Sequence, residues 1–415
     1  MLIISKSNPM KKNIFYFVFF AIFAKIIFSC NESDQKEVIE ESHYLPVIDV
    51  TNLPKENRPM TMFKDDENPS KMYDSKDRWF QVNQPMQIIL NGKDSVQVSL
   101  YSPVALNDVK VYVKVAASEK RFLIFNFKKI PAFHRSFHQI PLVNGKRDYL
   151  TEDGGTVTID KMEGFTTGNI EFSVESSDPL LAKFKKIESS RMVQFNTKYH
   201  LEDPVKFGPM NPVLAKEAIT MIINFSFALS HPLFYNNFMN FDKYKEEVSK
   251  FKGEPLTGAL NLHGNEEDLN GVYDYFTKEQ LDKVYTNYID KRTLNMAMAI
   301  NDTAWGAGAL VSQSERKYIE GHWKGDMSTW AHEYGHHSGY QHSSNLANKA
   351  DGGGLQTMMA NLYVYLIYLD ELPFTDPEVL KSYSKTTYLK GIYKRPVFKI
   401  KPDNPFLLKY KGGGR

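Results

Sequence analysis

The chain has 415 residues, too many for one ordinary core and enough for two domains plus a leader. With 42% hydrophobic and 24% charged residues it reads as a globular body, which excludes a disordered chain. Its 51 basic residues against 49 acidic ones leave a net charge of +2, which excludes the basic footprint of a nucleic-acid-binding protein.

Lys6, Lys11 and Lys12 precede an apolar run, Ile14 to Phe28, interrupted only by Lys25. This order predicts a secretory signal over residues 1–30, because the run is too short and too interrupted for a transmembrane helix. Cys30 is the only cysteine, so no intrachain disulfide forms. The segment Ile27-Phe28-Ser29-Cys30 resembles a bacterial lipobox. That resemblance implies cleavage before Cys30, lipidation of its thiol, and a place in the bacterial cell envelope as an outer-membrane or surface lipoprotein. The membrane would then be met through the lipid alone. Residues 31–76 are polar and punctuated by Pro46, Pro54, Pro59 and Pro69, and a disordered tether is expected there.

Residues 77–197 carry a β pattern. Val96, Val98 and Leu100 alternate with polar residues, as do Val109, Val111, Val113 and Val115. Further strands are expected at Phe122–Phe127, Thr156–Ile159 and Ile170–Val174, with turns at Asn91-Gly92, Asn144-Gly145 and Asp153-Gly154-Gly155. The spacing predicts an all-β sandwich of about seven strands.

From residue 198 to 415 helices and strands interleave, which predicts an α+β domain. Asn211-Pro212 caps a helix running to Leu229, and Thr277 to Gln280 forms a capping box. A strand is expected over Leu294–Ile300, followed by the Gly-rich Trp305 to Ala309, a motif helix, and a last helix over Leu355–Leu369.

The motif reads His332-Glu333-Tyr334-Gly335-His336-His337-Ser338-Gly339-Tyr340-Gln341-His342. His332 and His336, at i and i+4, share one helix face, so both imidazoles reach one ion. Glu333 lies beside them, placed to act on water without ligating. Gly339 can end the helix in a left-handed conformation, letting the chain turn back with His342 as third ligand. Three protein ligands and one open position is the layout of catalytic zinc. His337 matches no motif position and is expected to face away from the metal.

This HExxHxxGxxH segment resembles the zinc signature of the metzincin peptidases, and Ser343 is similar to the matrixin version. The resemblance implies a zincin-like catalytic domain with His332, His336 and His342 as Zn(2+) ligands and Glu333 as the base. The implied activity is hydrolysis of peptide bonds in extracellular proteins or glycoproteins by a monomeric enzyme. It also implies a methionine turn below the metal, for which Met358 and Met359 are the candidates, and an edge strand, Asn295–Ile300, that aligns substrate. Two rivals remain open. Gluzincins share HExxH but take an acid from the next helix, where this chain has Gln356 and Thr357. A non-catalytic surface binding lipoprotein is the other.

Overall fold

The computed structural model describes residues 47–374 apart from 51–52, 54–59, 73–77, 117, 142, 163–164, 196–197, 241–260, 264–273, 276, 291, 302, 321–323, 343, 345 and 348–353. The signal sequence, Cys30, most of the tether and Ser343 therefore lie outside the described residues.

The first half is built of strands: β1 (Val47–Asp49), β2 (Met60–Thr61), β3 (Phe80–Gln81), β4 (Met86–Asn91), β5 (Ser95–Leu100), β6 (Leu106–Val115), β7 (Phe122–Ile130), β8 (His134–Gln139), β9 (Val143–Leu150), β10 (Thr156–Met162) and β11 (Ile170–Ser176). One four-stranded sheet has the order β1-β7-β6-β11 and another the order β2-β8-β5-β4, while β9 and β10 form a hairpin. Valines placed by the period of two fill the interior: Val96, Val98, Val109, Val111 and Val113 are all fully buried. Side chains from the two sheets meet where Phe127 of β7 stands edge-on to His138 of β8, ring centroids 4.8 Å apart.

Two local expectations change. Residues 47–76 are not wholly a tether: β1 pairs in parallel with β7 and β2 pairs with β8. The apolar side chains between the prolines, Val50, Met62, Phe63 and Met72, are buried in the common core. Asn144-Gly145 is no turn. It lies inside β9, where Gly145 has φ +119° and the register with β10 shifts, so the glycine makes a bulge. Asn91-Gly92 and Asp153-Gly154-Gly155 do connect hairpins, with Gly92 at φ +73° and Gly154 at φ +81°.

The second half follows as α1 (Pro179–Phe184), β12 (Met192–Phe195), α2 (Lys198–Glu202), β13 (Phe207–Gly208), α3 (Pro212–Ser230), α4 (Pro232–Met239), β14 (Asn261–His263), β15 (Asp274–Tyr275), α5 (Lys278–Tyr288), β16 (Leu294–Ala299), β17 (Ala304–Ala307), β18 (Leu310–Ser314), α6 (Glu315–Glu320), α7 (Lys324–His337) and α8 (Gly354–Tyr368). A mixed sheet in the order β17-β18-β16-β12-β3 joins the halves, with β13 beside the end of β16. The boundary expected at 197/198 is therefore no structural break, since β12 pairs in parallel with β16 and antiparallel with β3. One hydrophobic core continues across it, with Phe63 and Phe195 on one side and Leu214 and Met296 on the other.

Helix α3 is the spine of the helical part. Asn211 caps it, its side chain accepting from Leu214 N, and all nineteen residues from Pro212 to Ser230 are buried. Its one long polar side chain at mid-helix, Asn224, is fully used: Nδ2 donates to Tyr363 Oη (3.0 Å) and Phe374 O (2.8 Å), and Oδ1 accepts from Phe374 N (3.0 Å). The capping box at Thr277 forms as expected, with reciprocal bonds between Thr277 and Gln280.

The buried histidines of β8 make the fold sensitive to acid. Burial pushes both His134 and His138 down to about 4, helped for His134 by its neighbour His138. Unfolded, each ring protonates near its ordinary 6.5, so below that pH the unfolded chain binds more protons than the folded one. Stability is thus complete above about pH 6.5 and falls toward pH 4, by roughly 2–3 kcal/mol for each ring. Thermal unfolding midpoints measured across this range should show that slope, and a His134→Gln, His138→Gln double variant should lose the share these two rings contribute, leaving that of the histidines lowered by burial elsewhere.

Candidate metal centre

Helix α7 carries His332, Glu333 and His336, and its end is set by chemistry visible in the bonds. Gly339 has φ +97°; its N–H donates to His336 O (3.0 Å), and Tyr340 N donates to Gly335 O (3.1 Å). These two bonds are those of a Schellman motif, which requires a left-handed residue at position 339. The chain then reverses, bringing His342 back beside the helix. Imidazole centroids lie 4.6 Å apart for His332 and His336, 4.6 Å for His336 and His342, and 5.2 Å for His332 and His342. One ring nitrogen from each falls within 4.8 Å of the others, so this cluster can hold a metal ion.

The donor set suits a small divalent ion. His332 Nε2 and His336 Nε2 are 3.2 Å apart, close to the roughly 3.3 Å separating two nitrogens bound tetrahedrally at about 2.0–2.1 Å. His336 Nδ1 donates to Tyr340 O at 2.7 Å, which fixes the ring proton on Nδ1 and leaves Nε2 as a lone-pair donor. Burial pushes His332 down to about 4, aided by His336 and His342, and burial also lowers His336, so both rings favour the uncharged form that can ligate. His342 is exposed, which leaves one side of the cluster open to solvent. Glu333 is 5% exposed, and burial pushes its carboxyl up to about 7, while Lys317 of α6 pulls the other way.

The back of α7 is held by groups that carried no recognisable signal. Arg191, fully buried just before β12, donates to Asn287 O (2.6 Å) and Tyr288 O (3.0 Å). The same guanidinium bonds His337, lies 4.8 Å over the Tyr334 ring and pairs with Asp290 at 3.3 Å. His337 thus contacts Arg191 and stands apart from the three-histidine cluster. Tyr334 Oη donates to Tyr288 O at 2.7 Å, and its ring meets Phe225 of α3 at 4.9 Å. A single arginine in a polar stretch gives no hint of this role, because all its partners are distant in sequence.

On the other side α7 lies against β17. A β-carbon on Gly306 would stand 2.1 Å from Glu333 O, and one on Gly335 would stand 2.3 Å from Leu346 O. Strand β16, expected to be an edge, is internal: β18 flanks it on one side, β12 and β13 on the other. The edge is β17, inside the Gly-rich stretch, antiparallel to β18. It displays Trp305, 42% exposed, with Lys206 Nζ 5.4 Å from the ring centroid.

The candidates for a methionine turn are corrected. Met358 and Met359 both lie inside α8, fully buried in the core, where helical spacing makes them packing residues. Gln356, on the same helix, is the neighbour that sequence reasoning missed: its Nε2 lies 2.8 Å from His332 Nδ1 and 3.2 Å from Ala347 O. The first glutamate after the motif, Glu371, pairs with His231 at 2.9 Å. Comparison of the chain with protein-family models, with curated proteins and with solved structures finds no match.

The contact at Gly306 is directly testable. Gly306→Ala must push β17 and α7 apart and should cost about 1–3 kcal/mol in unfolding free energy. Gly168→Ala, with nothing within 4 Å of the new carbon, is the control and should stay within about 0.5 kcal/mol.

Proposed function

We propose that this chain is a zinc-dependent endopeptidase acting on extracellular proteins or glycoproteins, with a metzincin-like centre. The convergence of His332, His336 and His342 beside a buried glutamate carries the reading. The α+β part would be a zincin-like catalytic domain, and the two four-stranded sheets would be its accessory sandwich. A zinc ion held by the three imidazoles supplies Lewis acidity, polarising a carbonyl and making water acidic. Glu333 does the proton work. With its carboxyl near 7, it can take a proton from the attacking water and return it to the departing amide nitrogen. Edge strand β17 can align an extended peptide by main-chain pairing, which tolerates many side chains. Trp305 offers an exposed ring on that strand for a substrate side chain or glycan.

The gluzincin reading has one observation in its favour: α8 does reach the site. What it brings is Gln356, an amide bonded to His332 and Ala347, and Glu371 is engaged by His231. The place of action follows from the leader and Cys30: the envelope of a bacterium, with the body anchored by lipid.

Elemental analysis of soluble protein lacking the leader should give one zinc per chain for wild type and for Thr357→Ala, and a large loss for His342→Ala. Glu333→Gln should keep the metal while lowering turnover of a casein-type substrate by at least 10²–10⁴-fold, the usual worth of a general base. Cleavage at the wild-type rate by purified Glu333→Gln protein would remove the mechanism, and zinc retained by His342→Ala would move the third ligand elsewhere.

A further inference from the structure

The two helix-borne ligands are treated differently by the protein. His336 gives its Nδ1 proton to a backbone carbonyl, that of Tyr340, and so turns an unprotonated Nε2 toward the cluster. His332 needs the same service, since its Nε2 is the atom 3.2 Å from His336 Nε2. Its Nδ1 has one side-chain neighbour within hydrogen-bond range among the described residues, the amide of Gln356 at 2.8 Å. That amide is 3% exposed and is also within 3.2 Å of Ala347 O.

These two neighbours ask for opposite things. Ala347 O can only accept, so it requires the amide nitrogen. A ligating His332 carries its proton on Nδ1, so it requires an acceptor, the amide oxygen. As the amide stands, its nitrogen faces both groups, and a donor facing Nδ1 leaves the ring proton on Nε2, the atom that must ligate. Glutamine carries donor and acceptor on one terminus, and its terminal torsion is soft. Glutamate could serve only His332, and methionine, of similar length, could serve neither.

We propose that Gln356 is the positioning residue of the metal centre: its amide serves Ala347 O through its nitrogen in the zinc-free protein and, turned about its terminal torsion, gives that bond up to put its oxygen on His332 Nδ1–H, so that Nε2 faces the ion. Gln356 thereby ties α8 to α7 through the ligand itself. It explains why an amide stands on this helix, near the place where a gluzincin would carry an acid. The proposal rests on the metal-binding reading above but not on peptidase activity.

The test is zinc affinity by competition with a chelator of known strength, together with the unfolding midpoint of the zinc-free protein, for wild type, Gln356→Met and Gln356→Glu. Both variants lose the bond to Ala347, so both midpoints should fall. Affinity should separate them: Gln356→Met should bind zinc about 10–100-fold more weakly, the usual cost of removing a group that orients a ligand. Gln356→Glu, which still accepts from Nδ1–H, should bind at least as tightly as wild type. Equal loss of affinity in both variants would overturn the proposal by showing that Gln356 merely packs α8, and so would wild-type affinity in Gln356→Met. Wild-type protein that takes up no zinc would instead overturn the metal centre, before the variants are compared.

Discussion

The backbone of α7 is clasped on two faces at distances that leave no room for side chains. Residue 306 must be glycine because the carbonyl of Glu333 occupies the space of its β-carbon, and residue 335 must be glycine because the carbonyl of Leu346 does the same. Everything at the site follows from that clasp. It seats the helix against edge strand β17 on one side and against the returning chain that bears His342 on the other. It also dries the surroundings of Glu333, and removal from water is what raises its carboxyl. A helix held only by side chains could slide by fractions of an ångström; one held by backbone contact cannot.

Behind the clasp lies a second layer made of charge and aromatic rings. Arg191 is buried with its positive charge shared among two carbonyls, Asp290 and the face of Tyr334. Burying such a group is tolerable only when its donors are occupied, and the helix end supplies His337 as one more acceptor. The arrangement joins the segment before β12, the end of α5 and the rear of α7 at one point. The segment leading into the central sheet is thereby tied directly to the helix that carries the metal-binding histidines.

What could be read from the sequence was whatever is encoded locally. The i, i+4 histidines, the glycine that stops their helix, the cap at Asn211, the box at Thr277 and the alternating valines of β5 and β6 each depend on residues a few positions apart. They appear where the pattern puts them. Pairings across long separations were not legible. The tiny strand β3 joins β12 across more than a hundred residues, and β12 in turn pairs with β16, which carries the sheet through the expected domain boundary. Prolines at 54, 59 and 69 gave the first segment the look of a tether, although Met62, Phe63 and Met72 between and beyond them are core residues. The roles of Gln356 and Arg191 are contacts between elements, and no spacing rule announces them. Met358 and Met359 show the converse: a plausible position after the motif, overruled by the helix in which they sit.

Helix α3 carries a consequence for how such a chain reaches its destination. It is the one described helix long and apolar enough to cross a membrane, with a mean hydropathy of 1.4 over its best window. A chain threaded through a translocation channel before it folds would present this stretch as a stop signal, and would risk being released sideways into lipid. Three residues oppose that fate. Lys216, Glu217 and Asn224, all buried within the finished helix, are dear to place in hydrocarbon. An ionised side chain alone costs about 2.5–3.5 kcal/mol at mid-membrane, and less near the helix end. In the mature protein these groups are engaged, Lys216 by Asp65 and Asn224 by Tyr363 and Phe374; in a chain that is exported, the same polarity would keep the future spine moving through.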